Sequence, residues 1–334
     1  MSLKILEVIV DQSDVELIVD IAKQHEVLDY WYTPESGEGR SHIRLLVRPE
    51  KRQTVMDALQ SVLGVTENAR VVIQPVEAVW PLPEKEPVSE KSADTSRTQI
   101  TREELYSEIE RGARLDNNFF LLTFLSTIVA SIGLIENSVA IIIGAMVIAP
   151  LLGPNIALAL GSALGDSELI WRALKANFSG IITAFILSCA IGYLWISPID
   201  SAELSSRTNV GLDGIGLALA SGAAAALSLT TGLSSVLVGV MVAVALLPPI
   251  ATAGLMLGSE QYQGAIGAGL LLAVNIVCIN LSAKLVFLFK GVRPRTWSEK
   301  HKASQSVRLY LAIWIISLLI LAVVIYLRQT VIST

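Results

Sequence analysis

The sequence predicts an α-helical membrane protein of about seven transmembrane helices, preceded by a small α+β ferredoxin-like domain. Six of the helices are expected to form a 3+3 inverted repeat of broken-helix units. Three observations predict this fold class. The 334-residue chain is 52% hydrophobic and only 16% charged, whereas soluble domains are about a quarter charged. The long apolar stretches are confined to residues 116–334, and a Gly- and Pro-containing motif occurs twice within them.

Residues 1–80 have the charge and turn content of a soluble domain. Strands are predicted at 3–10, 27–32, 43–47 and 69–76, with a helix after the first and the third strand. The order β-α-β-β-α-β is the ferredoxin-like pattern. Its role stays open between a regulatory sensor and an assembly platform. His25 and His42 lack metal-site spacing, and no nucleophile–base or carboxylate pair predicts catalysis, so we expect no metal, no cofactor and no enzyme.

The stretch between the two parts predicts first a linker and then a helix. Residues 81–100 are rich in Pro, Ser, Glu and Lys, which favours a flexible linker. Thr101 and Glu104 form a capping box, and apolar side chains then share one face, so 101–115 predict an amphipathic helix. It lies either along the membrane surface or in solvent as a connector. A net charge of −5 without a basic stripe argues against nucleic acid as a partner.

Seven apolar stretches are candidates for spans, each of which needs about 20 residues. They are 119–135, 139–164, 176–196, 212–230, 236–257, 265–289 and 310–327. The first three make a membrane repeat over 116–196 and the next three a second repeat over 211–290. A basic loop and the seventh helix follow within 291–334.

Loop charges predict how these spans are oriented, because Lys and Arg concentrate in cytoplasmic loops. Placing the N-terminus inside puts Arg172, Lys175 and the basic loop after Lys290 in the cytoplasm. The start of the chain does not read as a signal peptide. We therefore expect an integral protein of the bacterial inner membrane, with a cytoplasmic N-terminal domain and an external C-terminus.

The repeat is predicted from two apolar segments, 141–154 and 236–249, that align without a gap. Six of their fourteen residues are identical, where chance between apolar segments would give roughly two. Each segment lies in the second of three consecutive spans. Because three crossings return the chain on the opposite side, the two units are expected to be inverted, an arrangement typical of transporters.

Prolines are expected to break both middle helices. Pro150, Pro154, Pro248 and Pro249 each lack a backbone donor and clash with the preceding turn, and freed carbonyls in hydrocarbon must be paired or face water. At Gly153 one half-helix is predicted to end, with a new one starting at Pro154. The new amino end would favour an anion, and the carbonyls before the break would favour a cation. The alternative is a kink that only shapes packing.

Polar residues within the spans complete the predicted path. The candidate path residues are Pro150, Gly153, Pro154, Asn155, Asn177, Thr230, Thr231, Pro248, Pro249, Thr252, Asn275 and Asn280, with Glu136 and Asn137 at the outer mouth. Each polar side chain is equally suited to bonding between helices. No charged residue lies clearly at a span centre, and Lys284 is expected to snorkel toward the inner interface.

The segment 144–154, GAMVIAPLLGP, resembles the signature of a family of bacterial and archaeal membrane proteins known as a hydrophobic domain of unknown function. The element at 246–249, LLPP, and the small soluble domain are also similar to that family. The resemblance extends over roughly residues 1–290. It implies location in a membrane, and no activity or binding residue follows from it.

These observations favour a transporter or channel for a small solute, an ion or small anion, with its path where the two broken helices cross. The cytoplasmic domain would gate or assemble it, and small-residue pairs such as Gly254 and Gly258 suggest tight helix packing or a homo-oligomer. The expected partners are the lipid bilayer, the solute and further copies of the chain. The alternative is a membrane-anchored sensor or scaffold that acts through the ferredoxin-like domain.

Overall fold

The computed structural model describes residues 3–33, 40–63, 69–76, 79, 101–195, 200–208, 211–231, 235–292 and 297–333. Side chains are described within these ranges except at 212–213, 235–244, 297–308 and 329–333. The predicted linker, 81–100, lies outside the described residues. The chain divides into two compact units, Met1–Arg102 and Glu103–Thr334.

The described residues of the first unit form a four-stranded antiparallel sheet with two α-helices. Its elements are β1 (Lys4–Asp11), α1 (Val15–Gln24), β2 (Asp29–Thr33), β3 (Arg40–Val47), α2 (Arg52–Leu63) and β4 (Arg70–Pro75), and the strand order is β2-β3-β1-β4. Alternate residues of β1 and β3, such as Leu6, Val8 and Ile43, pack with apolar residues of both helices in one core. The predicted β-α-β-β-α-β order is confirmed.

Glu7 lies between two inward residues of β1 and therefore on the other face of the sheet. Arg44 Nε donates to its Oε1 at 3.0 Å, Gln74 Nε2 donates to its Oε2 at 2.9 Å, and His42 Nδ1 lies 3.5 Å from Oε1. Burial acts to raise the pKa of Glu7, but the hydrogen bonds from Arg44 and His42 outweigh it and hold the pKa below the ordinary value of 4.5. The folded sheet thus favours the ionised carboxylate.

Replacing Glu7 with glutamine is expected to destabilise the first unit at neutral pH and to flatten its response to acid. Because folding lowers the pKa, the carboxylate stabilises the fold fully above pH 4.5, and this contribution is lost as the pH falls through the lower folded value. Hydrogen exchange of the β1 amides in the full chain, followed from pH 7 downward, measures the effect. An acid response equal to that of the parent would contradict the prediction.

The second unit is helical in its described residues. Its helices are α3 (Arg102–Gly112), α4 (Asn117–Ile135), α5 (Val139–Ile148), α6 (Leu152–Leu164), α7 (Ser167–Leu194), α8 (Ala202–Ser206), α9 (Leu212–Thr231), α10 (Ser235–Gly258), α11 (Tyr262–Phe289) and α12 (Trp297–Ser333). Helices α6 and α11 lie in its interior, whereas the apolar part of α12 is almost wholly exposed. The short α8 lies in the long loop predicted between the two repeats.

Apolar helices make this unit a membrane domain. Within the described residues, α4, α7, α9, α11 and α12 are each long and apolar enough to cross a bilayer. Helices α5 and α6 pass the same test as a pair and are bent by 55° at the break between them. The protein is therefore a membrane protein, and its described residues contain five such helices, or six if the bent pair is one span.

Only the first of the two proline motifs breaks its helix. Helix α10 continues from Ser235 to Gly258 with Pro248 and Pro249 inside it, so the predicted break at this pair is wrong. Pro249 cannot donate to the carbonyl of Ala245 one turn earlier. The side-chain Nδ2 of Asn275 on α11 donates to that carbonyl instead, at 2.6 Å. Such a replacement partner lets a membrane helix tolerate proline.

Candidate functional site

The break between α5 and α6 lies at Ala149–Leu151. Helix α5 ends at Ile148, Ala149 is extended with φ −66° and ψ 123°, and α6 begins at Leu152. The first helix was predicted to end at Gly153, but it ends before Pro150 and Gly153 already belongs to α6. Pro154 lies in the first turn of α6, as predicted, where a missing N–H leaves no intrahelical bond unmade.

Three asparagines from three helices meet inside the unit beyond this break. Asn155 of α6 donates from Nδ2 to Oδ1 of Asn177 on α7 at 2.7 Å, and Asn280 of α11 donates from Nδ2 to Oδ1 of Asn155 at 3.2 Å. All three side chains are buried. We call Asn155, Asn177 and Asn280 the asparagine cluster. It brings together two residues of the predicted first repeat and one of the second.

Two polar atoms of the asparagine cluster have no hydrogen-bond partner among the described residues. Nδ2 of Asn155 also donates to the carbonyl of Leu151, and Nδ2 of Asn280 to that of Ile276. Within the described part of the chain, Asn177 Nδ2 and Asn280 Oδ1 have no hydrogen-bond partner. The cluster therefore offers one unpaired donor and one unpaired acceptor. Leaving such a buried atom unsatisfied costs about 1–3 kcal/mol.

Close packing around the break fixes the start of α6. The side chain of Leu151 is buried between Gly180 of α7 and Phe119 of α4, so closely that a Cβ on Gly180 would lie 2.7 Å from Leu151 Cδ2 and 3.1 Å from Phe119 Cζ. Residues 154–163 of α6 are all buried. Asn155 is thereby held on a rigid, enclosed helix instead of a loop.

Helix α3 docks on the same region of the unit. The backbone of Gly112 at its end contacts Gly153, and Tyr106 Oη donates to Oδ2 of Asp166 at 2.7 Å. Burial, and then the bond to Asp166, raise the pKa of Tyr106, so its hydroxyl stays protonated and donates. Nη1 of Arg172 on α7 donates to Oε1 of Glu110 on α3 at 2.7 Å. The predicted amphipathic helix is thus packed along α6 and α7.

The remaining predicted path residues bond locally. The hydroxyls of Thr230 and Thr231 each donate to the carbonyl of Leu227 in their own helix, at 2.9 Å. Asn275 donates to the carbonyl of Ala245 on α10, as described above. Oδ1 of Asn137 accepts from the backbone N–H of Glu203 at 3.0 Å, which ties the loop after α4 to α8. The structure brings none of these four side chains to the asparagine cluster.

For two further predicted path residues, Thr252 and Glu136, the structure shows the burial of the side chain but no contact that tests the predicted role. The hydroxyl of Thr252 on α10 is fully buried and, among the described residues, without a hydrogen-bond partner. Glu136 is exposed and ends α4. Their assignment to a path and to its mouth stays a prediction.

Lys284 is a buried residue, and its side chain is 0% exposed. The expectation that it reaches toward the inner membrane interface stays a prediction. Its Nζ lies 5.6 Å from the centroid of the Tyr310 ring on α12. It lies four residues after Asn280, which places both residues on one face of α11.

Small residues bring the two predicted repeats together. A Cβ on Gly254 of α10 would lie 2.0 Å from Ser188 Oγ, and one on Gly258 would lie 2.2 Å from the carbonyl oxygen of Cys189, both on α7. The close contact predicted for this pair is confirmed within the chain. No group of metal-ligating side chains occurs in the residues that the structure describes.

Comparisons with known proteins give one family model and one relative that match this chain. The family model described as "Domain of unknown function (DUF389)" matches residues 146–281, a range that contains the whole asparagine cluster. The chain is 33% identical over 285 residues to "Uncharacterized protein MJ0678" of Methanocaldococcus jannaschii. The aligned region covers 85% of this chain and 87% of that protein. No solved structure matches the chain.

Proposed function

For this chain, which belongs to the family described as domain of unknown function (DUF389), we propose a role as a transporter or channel for a small solute, an ion or small anion. The solute passes through the asparagine cluster beside the break between α5 and α6. The observation that supports this role is the pair of unpaired buried atoms, Asn177 Nδ2 and Asn280 Oδ1. In this proposal the protein is not an enzyme.

Unpaired amides favour a ligand over simple helix bonding. Asparagines that only join helices gain most when every donor and acceptor is paired, because a half-satisfied network is less stable than an apolar core. A solute that leaves its hydration shell needs replacement donors and acceptors inside the membrane. Asn177 Nδ2 and Asn280 Oδ1 supply one of each, on helices from the two predicted repeats.

The helix arrangement supports a membrane domain of seven spans that contains two repeats. Counting the bent α5–α6 pair and α10 as one span each adds two to the five long helices. Helix α10 packs on α7, and α6 packs on α11, so the middle helix of each repeat contacts the third helix of the other. An inverted repeat accounts for this reciprocal contact between middle and third helices. In this proposal the N-terminus is cytoplasmic and the C-terminus external, as the loop charges predict.

The test is solute flux into proteoliposomes that contain the purified full chain. Replacing Asn177 with leucine removes the unpaired donor and is expected to lower flux about tenfold, since one lost hydrogen bond of about 1.4 kcal/mol corresponds to that factor. Phe178 is 62% exposed on the next position of α7, so Phe178→Leu is the matched control and is expected to leave flux unchanged.

The same experiment decides between this function and the sensor or scaffold. A membrane unit that is tight to every small ion and neutral solute, in the parent as in the variants, would overturn transport. It would leave the ferredoxin-like unit as the active part of the protein. Flux that is unchanged by Asn177→Leu would place the path elsewhere in the membrane unit.

A further inference from the structure

Helix α3 ends beside the asparagine cluster. The carbonyl of Gly112, the last residue of α3, lies against the backbone of Gly153 in the first turn of α6. Asn155 follows Gly153 by two residues, which is a rise of about 3 Å along the helix. The end of α3 is therefore packed within one helical turn of the central residue of the cluster.

The start of α7 shows which side of the membrane α3 covers. Helix α7 has 28 residues and is therefore about 42 Å long, whereas the hydrocarbon core of a bilayer is about 30 Å thick. Its charged residues, Glu168, Arg172 and Lys175, lie at its beginning, so this end extends beyond the hydrocarbon. Asn177 comes directly after this charged part. The asparagine cluster and α3 thus lie near the same membrane surface, which is the inner one in the proposed orientation.

Two polar contacts hold α3 on the hairpin of α6 and α7. Tyr106 Oη donates to Oδ2 of Asp166 at 2.7 Å, while Oδ1 of the same carboxylate accepts from backbone N–H groups at the start of α7. Arg172 Nη1 donates to Oε1 of Glu110 at 2.7 Å, and both of these side chains are partly exposed. An exposed ion pair contributes little and is weakened by salt. The bond from Tyr106 to Asp166 is therefore the stronger of the two contacts.

The helix ends that meet at Gly112 and Gly153 have opposite partial charges. The carbonyls at the end of α3 form the negative end of its dipole, and the first turn of α6 forms the positive end of its own. The residue before α6, Leu151, supplies no side-chain cap for the free N–H groups there. While α3 is in place, the carbonyl of Gly112 thus covers the end of α6 that a solute from this side must pass to reach Asn155.

Helix α3 also connects the membrane unit to the ferredoxin-like unit. Its first residue, Arg102, is the last residue of the first unit, where its backbone N–H donates to Oε1 of Gln53 on α2 at 3.0 Å. The residues from Glu103 onward belong to the membrane unit. A change in the first unit that moves Arg102 therefore acts on one end of the helix whose other end packs on Gly153.

We propose that α3 is a gate on the inner side of the path, closed in this structure, which leaves the first turn of α6 to admit the solute to the asparagine cluster. This inference rests on the proposed function and adds its regulation. The bond from Tyr106 to Asp166 holds the gate closed. The ferredoxin-like unit, through Arg102, determines how often α3 leaves.

Replacing Tyr106 with phenylalanine is expected to raise solute flux about tenfold, because one lost hydrogen bond of about 1.4 kcal/mol shifts the equilibrium of α3 by that factor. The probes are Na⁺, K⁺, chloride and nitrate, each in proteoliposomes that contain the full chain. Hydrogen exchange of the amides in 152–156 should become faster, and the Tm in detergent should fall. Tyr193→Phe is the matched control, because Tyr193 of α7 is 79% exposed, and it should behave as the parent. A purely structural Tyr106 would lower flux together with the Tm, so flux that falls or stays unchanged in Tyr106→Phe overturns the gate.

A cross-link tests the gate in the opposite direction. Glu110→Cys combined with Arg172→Cys places two thiols across the contact between α3 and α7, at side chains that are 26% and 53% exposed. A short bifunctional methanethiosulfonate should stop most of the flux, and a reducing agent should restore it. The parent and Glu110→Cys alone, treated in the same way, control for reaction at Cys189 and for attachment at one end only.

The failure of the gate and the failure of the proposed function give different results. Flux that continues through the cross-linked protein overturns the gate and keeps the transport function. If none of these ions crosses in the parent or in Tyr106→Phe, the transport function is overturned, and the gate with it.

Discussion

Replacing Asn155 with leucine is expected to reduce solute flux about a hundredfold while the chain still folds. Asn155 is the central member of the asparagine cluster and bonds to both Asn177 and Asn280, at 2.7 and 3.2 Å. Leucine has a similar branched shape but neither donates nor accepts. Without Asn155 the other two asparagines lose the bonds that position their unpaired atoms, and two hydrogen bonds lost to the solute, of about 1.4 kcal/mol each, correspond to this factor. The measurement is initial flux per folded protein in proteoliposomes.

Asn275 provides the matched control for this change. It carries the same side chain in α11, but its Nδ2 donates to the carbonyl of Ala245 beside Pro249 and takes no part in the asparagine cluster. Asn275→Leu should therefore lower the free energy of unfolding, by about 1–3 kcal/mol for the unpaired carbonyl, and retain the flux of each folded molecule. If both variants lose flux to the same degree, the asparagine cluster has no special role in the path.

The spans were predictable because their signal is local. Helix α4 was predicted at 119–135 and observed at Asn117–Ile135, since an apolar run of that length is nearly sufficient to define a membrane helix. The strands of the first unit were predictable for a similar reason. Alternation along β1 and β3 reports directly which side chains face the core. Neither inference requires knowledge of distant contacts.

The details of the site depend on distant residues and could not be predicted. Proline chemistry alone predicts a break at Pro249, but the donor that preserves α10 comes from Asn275 on another helix. The end of α5 was predicted at the wrong residue because three residues that can each end a helix lie close together within 150–154. Packing of Leu151 against Gly180 settles where α6 starts. The burial of Lys284 depends likewise on α12, whose Tyr310 lies beside its ammonium.

Replacing Gly153 with alanine is expected to displace α3 from α6 and to destabilise the membrane unit by about 1–3 kcal/mol, the usual range for overpacking. A Cβ at this position would lie 2.1 Å from the carbonyl oxygen of Gly112 and 2.6 Å from its carbonyl carbon. Both atoms belong to backbone, which cannot rotate away as a side chain can. The measurement is the Tm of the full chain in detergent, with hydrogen exchange of the α3 amides as the local readout.

Two other glycines make this prediction quantitative. A Cβ on Gly112 would approach only Gly153 Cα, at 3.2 Å, and one on Gly144 in the same sequence motif would meet nothing within 4 Å. Alanine stabilises a helix by about 1 kcal/mol relative to glycine, so Gly144→Ala should match or exceed the parent. The expected order of Tm is Gly144→Ala, then Gly112→Ala, then Gly153→Ala. If Gly153→Ala has the same Tm as Gly144→Ala, the end of α3 does not pack on the first turn of α6.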